Sequence, residues 1–340
     1  MKILVTGGAG YIGSHTTLHL LKTGHDVVIV DNFSNSSPTV IDRIKKLAHI
    51  TPTLVEGDIL DLPFLNNLFS DHEFDAVIHF AGVKAVGESV ADPLLYYQIN
   101  VTGSLNLLSA MKSYNVKRFI FSSSATVYGS PTSLPISETA VKAPTNPYGN
   151  SKYIVEQALE DLFKSDKDWR IVSLRYFNPV GADESGLIGE HPRGVPNNLM
   201  PFISQVACGT RDKLLVFGND YPTHDGTGVR DYIHVSDLAE GHVAALNFIS
   251  NSNNGIFCPA NLGAGKGYSV LDLIEAFEKV SNKKILYSVA ERRPGDIATS
   301  FADPRKANNL FEWYAKKGIL EMCADTWRWQ SKNPNGYDNN

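Results

Sequence analysis

The stretch Lys2-Ile3-Leu4-Val5-Thr6-Gly7-Gly8-Ala9-Gly10-Tyr11-Ile12-Gly13 decides how the rest of the chain is read. Ile3-Leu4-Val5 is a short apolar run of the kind a buried strand shows. Gly7, Gly10 and Gly13 follow it at intervals of three and open a helical pattern with Ile12, Thr16 and Leu20 on one face. Glycines there let the backbone turn tightly and approach a pyrophosphate, and the helix start presents free N–H groups to that anion. The same spacing also occurs in plain tight turns, so context has to decide. Gly24 reads as the helix stop. Val27-Val28-Ile29-Val30 then forms a second strand that ends in Asp31, about 20 residues beyond the glycines, where a carboxylate can grip the adenosine ribose hydroxyls. A carboxylate in that place repels the extra phosphate of NADP, which points to NAD. An ordinary strand-end acid is the other reading of Asp31. Asp58, after a third strand, can lie beside adenine or be a solvated turn acid.

Outward from this unit the alternation continues. Thr53–Val55, Ala76–Phe80, Arg118–Phe121 and Ile171–Leu174 read as further strands, their β-branched runs suited to parallel strands covered on both faces. The fold class is therefore α/β: a Rossmann-type doubly wound parallel sheet with a smaller α/β substrate-binding domain. Residues 1–176 are assigned to the dinucleotide domain. Residues 177–340 are assigned mainly to the second, with some segments returning to the first. Glycine, proline and asparagine become dense over 181–198 and 218–228, as in loops that shape a binding site. Helix returns at Ser269 to Val280. Repeats and flexible linkers are absent, so the two parts should pack together around a cleft, and the polar tail 333–340 should fray.

With 43 % apolar and 20 % charged residues over 340 positions, the composition is that of an ordinary globular protein. A net charge of −5 offers no basic face for nucleic acid. Apolar runs of the ~18–20 residues needed to span a membrane are missing, and the start lacks the sections of a signal peptide, so a cytoplasmic location is expected. The three cysteines, Cys208, Cys258 and Cys323, suggest free thiols rather than a disulfide frame or zinc site. The histidines show no metal-ligand spacing, and no metal is expected.

Tyr148 and Lys152 stand four apart ahead of Val155 and Leu159, which places them on one face of a helix. A phenol with its usual pKa near 10 is a poor base at neutral pH; a nearby ammonium favours the phenolate and should lower that value. A cationic nicotinamide would add to this. Ser122, Ser123 and Ser124 follow the fifth strand, where ligands bind in open α/β sheets, and a serine there can orient a reacting hydroxyl. A surface Tyr/Lys pair and a simple serine loop are the plain alternatives; the dinucleotide unit ahead of them argues for the chemical reading.

Together TGGAGYIGSH, Asp31-Asn32, HFAG (79–82), SSSATVYG (122–129) and PYGNSK (147–152) resemble the extended short-chain dehydrogenase/reductases. KAVGES (84–89), RYFNPVGA (175–182), PNNLMP (196–201), FGNDYPTHDGTGVRDYIHV (217–235) and NLGAG (261–265) narrow the resemblance to the UDP-glucose 4-epimerase family, over nearly the whole chain. The resemblance implies catalysis by Tyr148 as general base, Lys152 as its electrostatic partner and Ser124 as the hydroxyl-orienting group. It implies NAD contacts from Gly7, Gly10, Tyr11, Ile12, Gly13, Asp31, Asn32, Asp58, Ile59, Phe80, Ala81, Gly82, Lys84, Asn100, Ser122, Tyr148, Lys152, Tyr176 and Phe177. UDP-hexose contacts are implied for Lys84, Ser124, Tyr148, Asn178, Asn198, Leu199, Phe217, Arg230, Arg293 and Asp296. A surface ion pair would be the ordinary fate of Arg230 and Arg293 without it.

The activity implied is interconversion of UDP-galactose and UDP-glucose in galactose metabolism, through transient oxidation at carbon 4 with tightly kept NAD. The neighbouring alternatives are another UDP-sugar epimerase, a 4,6-dehydratase, or a non-catalytic NAD-sensing protein. Dehydratases carry acids just after the fifth-strand serine or threonine, where this chain has Ala125 and Thr126. Ile99 departs from a cofactor-contacting asparagine of relatives, which would remove one NAD contact, while Asn100 beside it is kept. Ser300 stands where some relatives carry a bulky tyrosine, which leaves room for N-acetylated UDP-hexoses. The resemblance also implies a homodimer paired through the helices near Leu94–Met111 and Tyr148–Phe163, and no membrane or nucleic-acid partner.

Overall fold

The computed structural model describes residues 1–194, 196, 198–293 and 295–337. Strands β1 (Lys2–Thr6), β2 (Asp26–Asp31), β3 (Thr53–Glu56), β4 (Ala76–His79), β5 (Arg118–Ser124) and β6 (Arg170–Tyr176) alternate with helices α1 (Tyr11–Lys22), α2 (Thr39–Ala48), α3 (Leu62–Asp71), α4 (Val86–Ala91), α5 (Pro93–Tyr96), α6 (Gly103–Ser113) and α7 (Pro147–Ser165). After these come β7 (Asn178–Val180), α8 (Leu199–Ala207), β8 (Leu214–Phe217), β9 (Val229–His234), α9 (Val235–Asn251) and β10 (Ile256–Leu262). The last elements are β11 (Gly267–Ser269), α10 (Val270–Ser281), β12 (Tyr287–Ala290), β13 (Thr299–Ser300), α11 (Arg305–Phe311) and α12 (Ile319–Lys332).

Seven parallel strands form the main sheet in the order β10-β6-β5-β4-β1-β2-β3. Successive side chains of a strand point to opposite faces, and the core divides accordingly. Ile3, Val5, Val27 and Ile29 join a cluster with residues of α1, α2 and α9. Leu4, Val28, Val30 and Val77 join another with residues of α3, α6 and α7. Strand order reverses between β1 and β4, and in such sheets the ligand crevice lies at that reversal, beyond the carboxyl ends.

Three features differ from what the pattern suggests. Helix α1 is not half-exposed: Ser14, His15, Thr17, Leu18 and Leu21 are buried along with Thr16 and Leu20, because α9 and α2 pack against it as well. Strand β5 runs on through Ser122–Ser124, which pair in register with Leu174–Tyr176. The seventh strand, β10, comes from the loop-rich second half and pairs with β6 at the sheet edge.

The smaller assembly joins β11, β9 and β13, with β7 also on β9, and a two-stranded pair β12-β8. Its own cluster packs Met200 and Ile203 of α8 against Leu273 and Phe277 of α10 and Met322 of α12. Among the described residues no helix is long and apolar enough to cross a membrane. Cys208, Cys258 and Cys323 are free thiols.

Candidate active site

The glycine loop between β1 and α1 is built for close approach. Gly7 has φ +70°, and a Cβ there would lie 2.7 Å from the Ala81 nitrogen. A Cβ on Gly13 would lie 2.2 Å from the carbonyl oxygen of Gly7. Gly10 caps α1 without any side-chain hydrogen bond, so the first N–H groups of the helix keep their capacity for an anion. Tyr11 lies at this helix start, its hydroxyl donating to the Gly181 carbonyl at 2.7 Å, and Ile12 packs against the core. This cradle fits a dinucleotide pyrophosphate.

Asp31 ends β2 beside the loop. Its Oδ2 accepts from the Ala9 N–H at 3.0 Å, and its Oδ1 accepts from Phe33 N–H at 3.0 Å and Ser36 Oγ at 2.7 Å. Asn32 Nδ2 donates to Asp58 Oδ2 at 2.9 Å, which brings the ends of β2 and β3 together, and Ile59 fills the space that Gly103 leaves open at the start of α6. Phe80 and Ala81 both donate their backbone N–H to the Thr6 carbonyl, which closes the loop beyond β4. Next to them Gly82 faces Asn100: a Cβ there would meet Asn100 Oδ1 at 2.8 Å and Lys152 Nζ at 3.8 Å.

Asn100 is buried inside a π-helical turn over Tyr97–Thr102. It accepts from Val83 N–H and donates to the Val83 carbonyl and to Ser151 Oγ at 3.0 Å. Asn100 thus holds the inward position beside Gly82 and Lys152.

Tyr148 and Lys152 lie on the first turns of α7, which Asn146 caps by accepting the Gly149 N–H at 2.9 Å and Pro147 opens. Ser124 lies against Tyr148 and favours its phenolate. Ser124 Oγ in turn accepts from the N–H and hydroxyl of Thr126, at 3.2 and 2.9 Å. Lys152 is buried with its Nζ 5.0 Å from the centre of the Phe121 ring. Burial pushes its ammonium down to about 8. Burial also raises the Tyr148 phenol above its usual value, more than Ser124 lowers it. In the free chain Ser124 is the group that opposes desolvation, and the lowering expected from Lys152 does not appear. Ser122, on the same face of β5 as Ser124, accepts from the Tyr176 hydroxyl, and Phe177 donates its N–H to the Leu262 carbonyl at 3.2 Å.

In the smaller assembly Phe217, Arg230, Arg293 and Asp296 converge. The Arg293 guanidinium lies 4.8 Å from the Phe217 ring centre, and its Nε donates to Asp296 Oδ2 at 3.0 Å. Arg230 approaches the other oxygen of Asp296 at 4.0 Å. Asn178 opens β7, and Leu199 opens α8 with Asn198 as its N-cap. Lys84 Nζ and Asn198 Nδ2 both donate to Glu190 Oε1 at 3.1 Å. Glu190 thereby ties the loop after β4 to the start of α8. It belongs to no motif and lies in an irregular loop, so spacing offered no signal for it.

Asp231, next to Arg230, is a second residue the pattern hides. It accepts N–H groups from Ala264, Gly265 and Ala302, which ties two loops to β9, and burial pushes its carboxyl up to about 6. Among the described residues His224, Asp225 and Asp272 bring ligand-type atoms within 4.8 Å of one another. Their carboxylates are engaged in the Thr227 turn and the Ser269 capping box.

A family model described as GDP-mannose 4,6 dehydratase matches residues 4–326. The chain is 58 % identical to the UDP-glucose 4-epimerase of Bacillus subtilis (strain 168) over 337 residues, covering 99 % of each. It is 54 % identical to that of Drosophila melanogaster over 344 residues, covering 99 % of this chain and 98 % of the relative. Among solved structures, the UDP-glucose-4-epimerase of Stenotrophomonas maltophila with bound NAD and formylated UDP-arabinopyranose superposes with TM-score 0.96 at 50 % identity, covering 98 % of this chain and 99 % of that one. The UDP-glucose 4-epimerase of Bifidobacterium longum in complex with NAD+ and UDP gives TM-score 0.95 at 50 % identity, covering 99 % and 100 %. On the glycine cradle, the Ser124–Tyr148–Lys152 grouping and full-length identity above half, the chain belongs to the UDP-glucose 4-epimerase family of the extended short-chain dehydrogenase/reductases.

Proposed function

We propose that this protein interconverts UDP-galactose and UDP-glucose by transient oxidation at carbon 4 of the hexose with bound NAD. The observation that carries the reading is the convergence of Ser124 on Tyr148, one helical turn from the buried Lys152, whose Nζ lies beside Gly82 and close to the Phe121 ring. Residues 1–176 hold NAD, with Gly7, Gly10 and Gly13 at the pyrophosphate, Asp31 at the ribose and Asn32 and Asp58 toward adenine. Residues 177–340 mainly hold UDP, with Phe217 beside uracil and Arg230 and Arg293 on the ribose and diphosphate.

Bound NAD supplies the acceptor and then the donor of hydride at carbon 4. Tyr148 Oη takes the proton of the 4-hydroxyl, and Ser124 orients that hydroxyl and steadies the phenolate. Bringing a phenol from about 10 to near 7 takes roughly 4 kcal/mol of differential stabilisation. The buried Lys152 ammonium acts where such a charge is effective, and a cationic nicotinamide would add to it. The 4-keto sugar turns over while UDP stays anchored, so that its opposite face is presented for reduction, and Tyr148 returns the proton to the oxygen on carbon 4. Grip remote from the reacting carbon keeps the intermediate from escaping. A 4,6-dehydratase would need a carboxyl group after Ser124, where Ala125 and Thr126 stand and Thr126 is spent on Ser124.

Ser300 lies in register with Arg230, and its small side chain supports acceptance of the N-acetylated UDP-hexoses as well. A homodimer through the helices at 94–111 and 148–163 fits the exposed apolar residues Val90, Leu94 and Leu105, of which Leu94 is 77 % exposed. A monomer mass at micromolar concentration in sedimentation equilibrium would remove that reading. Free thiols fit a cytoplasmic location; activity recovered only outside the cytoplasm would overturn it.

The deciding experiment adds no cofactor to purified protein, supplies UDP-galactose, and follows the anomeric protons by NMR. Conversion to UDP-glucose without net oxidation is expected. No conversion even with added NAD sinks the reading. UDP-N-acetylgalactosamine is expected to turn over too, and Ser300→Tyr to abolish that turnover while sparing UDP-galactose; an inactive wild type toward the N-acetylated sugar rejects the extension.

A further inference from the structure

Behind the Ser124–Tyr148 contact lies a buried ionic cluster that the steps above do not use. Ser123 and Arg175 are direct cross-strand neighbours on β5 and β6. Both reach Glu156, which sits one helical turn beyond Lys152 on α7. Ser123 Oγ donates to Glu156 Oε1 at 2.5 Å. Arg175 donates from Nε to Oε1 at 2.8 Å and from Nη2 to Oε2 at 2.5 Å. The three residues are 0 %, 2 % and 3 % exposed for Ser123, Arg175 and Glu156, so no water competes for these bonds. The cluster continues: Arg175 Nη1 donates to the Tyr128 hydroxyl at 3.0 Å, which donates to Asn261 Oδ1 at 2.6 Å. Asn261 Nδ2 then donates to the Ile136 carbonyl at 2.8 Å, and Ile136 bridges to Ala302, just after β13.

We infer that Glu156 and Arg175 are positioning residues for the epimerisation: their buried pair fixes α7 against β5 and β6, and so sets where Tyr148 and Lys152 stand relative to Ser124. The inference rests on Tyr148 serving as the base. Apolar packing by Val155 and Leu159 holds the same helix to the sheet, but such contacts tolerate small slides. A carboxylate with both oxygens bonded from two adjacent strands does not. A buried ion pair is costly to desolvate, and apolar residues of similar volume often give equal stability; what they do not give is fixed registration. Misplacement of about 1 Å is enough to slow a reaction steeply. Ser123 transmits the restraint most directly, because its backbone leads into Ser124, whose hydroxyl meets Tyr148.

The test compares wild type, Ser123→Ala, Glu156→Gln/Arg175→Met and Tyr148→Phe. Thermal midpoint, kcat and KM for UDP-galactose, and the pH dependence of kcat are measured for each. Glu156→Gln alone leaves a buried unpaired guanidinium and should lose stability heavily, so the double variant carries the argument. It is expected to fold, to lose about tenfold or more in kcat, and to keep KM within about twofold. Its acid limb should move to higher pH, because a weakened Ser124 contact no longer favours the phenolate. Ser123→Ala should change in the same directions by less. A folded double variant with wild-type kcat and acid limb overturns the inference. If the double variant does not fold, Ser123→Ala with both parameters unchanged overturns it. An inactive wild type, or a fully active Tyr148→Phe, would instead sink the functional reading beneath it.

Discussion

At Gly13 the cost of any side chain is readable from one distance. A Cβ would sit 2.2 Å from the Gly7 carbonyl oxygen, and backbone, unlike a flexible side-chain end, cannot swing aside. Gly13→Ala should therefore part α1 from the loop, cost about 1–3 kcal/mol, and yield protein without co-purifying NAD. Gly24→Ala is the control. Its φ of +84° makes alanine strained, but nothing lies within 4 Å, so stability drops by about 1 kcal/mol with NAD retained. Absorbance of the nucleotide released on denaturation reads both; a Gly13→Ala protein that keeps its NAD contradicts the cradle. Residues of this kind were legible because their chemistry fixes their spacing. A glycine triplet, an acid about 20 residues later and a Tyr/Lys pair one turn apart each follow from local geometry. The partners of Glu190, Asp231 and the Glu156–Arg175 pair were not legible, since they lie on other elements or loops with no fixed spacing, and an acid or arginine looks the same until the chain is folded.

The helix that carries the chemistry begins one residue before Tyr148, so its cap bears directly on the site. Asn146 accepts the Gly149 N–H at 2.9 Å. Asn146→Ala should cost about 1 kcal/mol and let the first turn fray, with kcat falling more than KM rises. A thermal midpoint lowered by a few degrees with kcat unchanged would show that the first turn holds without its cap. At this scale the six strands β1 to β6 were readable, because apolar runs persist in them and all but the edge strand β3 are buried. Two errors have physical causes. β10 was missed because Pro259 and Asn261 interrupt its apolar run; an edge strand tolerates a proline that a central strand does not. β5 looked shorter than it is because Ser122–Ser124 are polar, yet each finds a buried partner in Tyr176, Glu156 or Tyr148. Sequence periodicity reports hydrophobicity, and a strand end whose polar side chains are satisfied inside the protein escapes it.

Across the whole molecule, burial of histidines sets how stability responds to acid. His15, His79 and His242 are 3 %, 1 % and 0 % exposed, and desolvation pushes them down to about 4, about 3 and about 4. Thr6 and Ser104 occupy both nitrogens of His79, whereas Nε2 of His15 and of His242 has no partner among the described residues. The unfolded chain takes up protons on these rings as pH falls through 6.5, while the folded chain does so only near 3–4. Between those values the unfolded state binds more protons, so the stabilisation, complete above 6.5, drains away as pH falls. Asp231 works the other way. Its folded value of about 6 lies above the unfolded one, so it favours the folded state as pH falls below 6; Asp237, also raised by burial, acts in the same sense. Three rings outweigh these carboxyls, and at about 1.4 kcal/mol per group per pH unit the net loss from these groups between pH 6.5 and 5 is on the order of 4 kcal/mol, to which His19 and His25, also lowered by burial, add in the same sense. That is a large part of the ~5–15 kcal/mol typical of a folded domain. The thermal midpoint, measured at constant ionic strength, should hold steady from pH 8 to 7 and fall markedly by pH 5. A midpoint that stays level or rises over that range would mean that the rings are hydrated in solution and that the packing of α1 and α9 around His15 and His242 is looser than described.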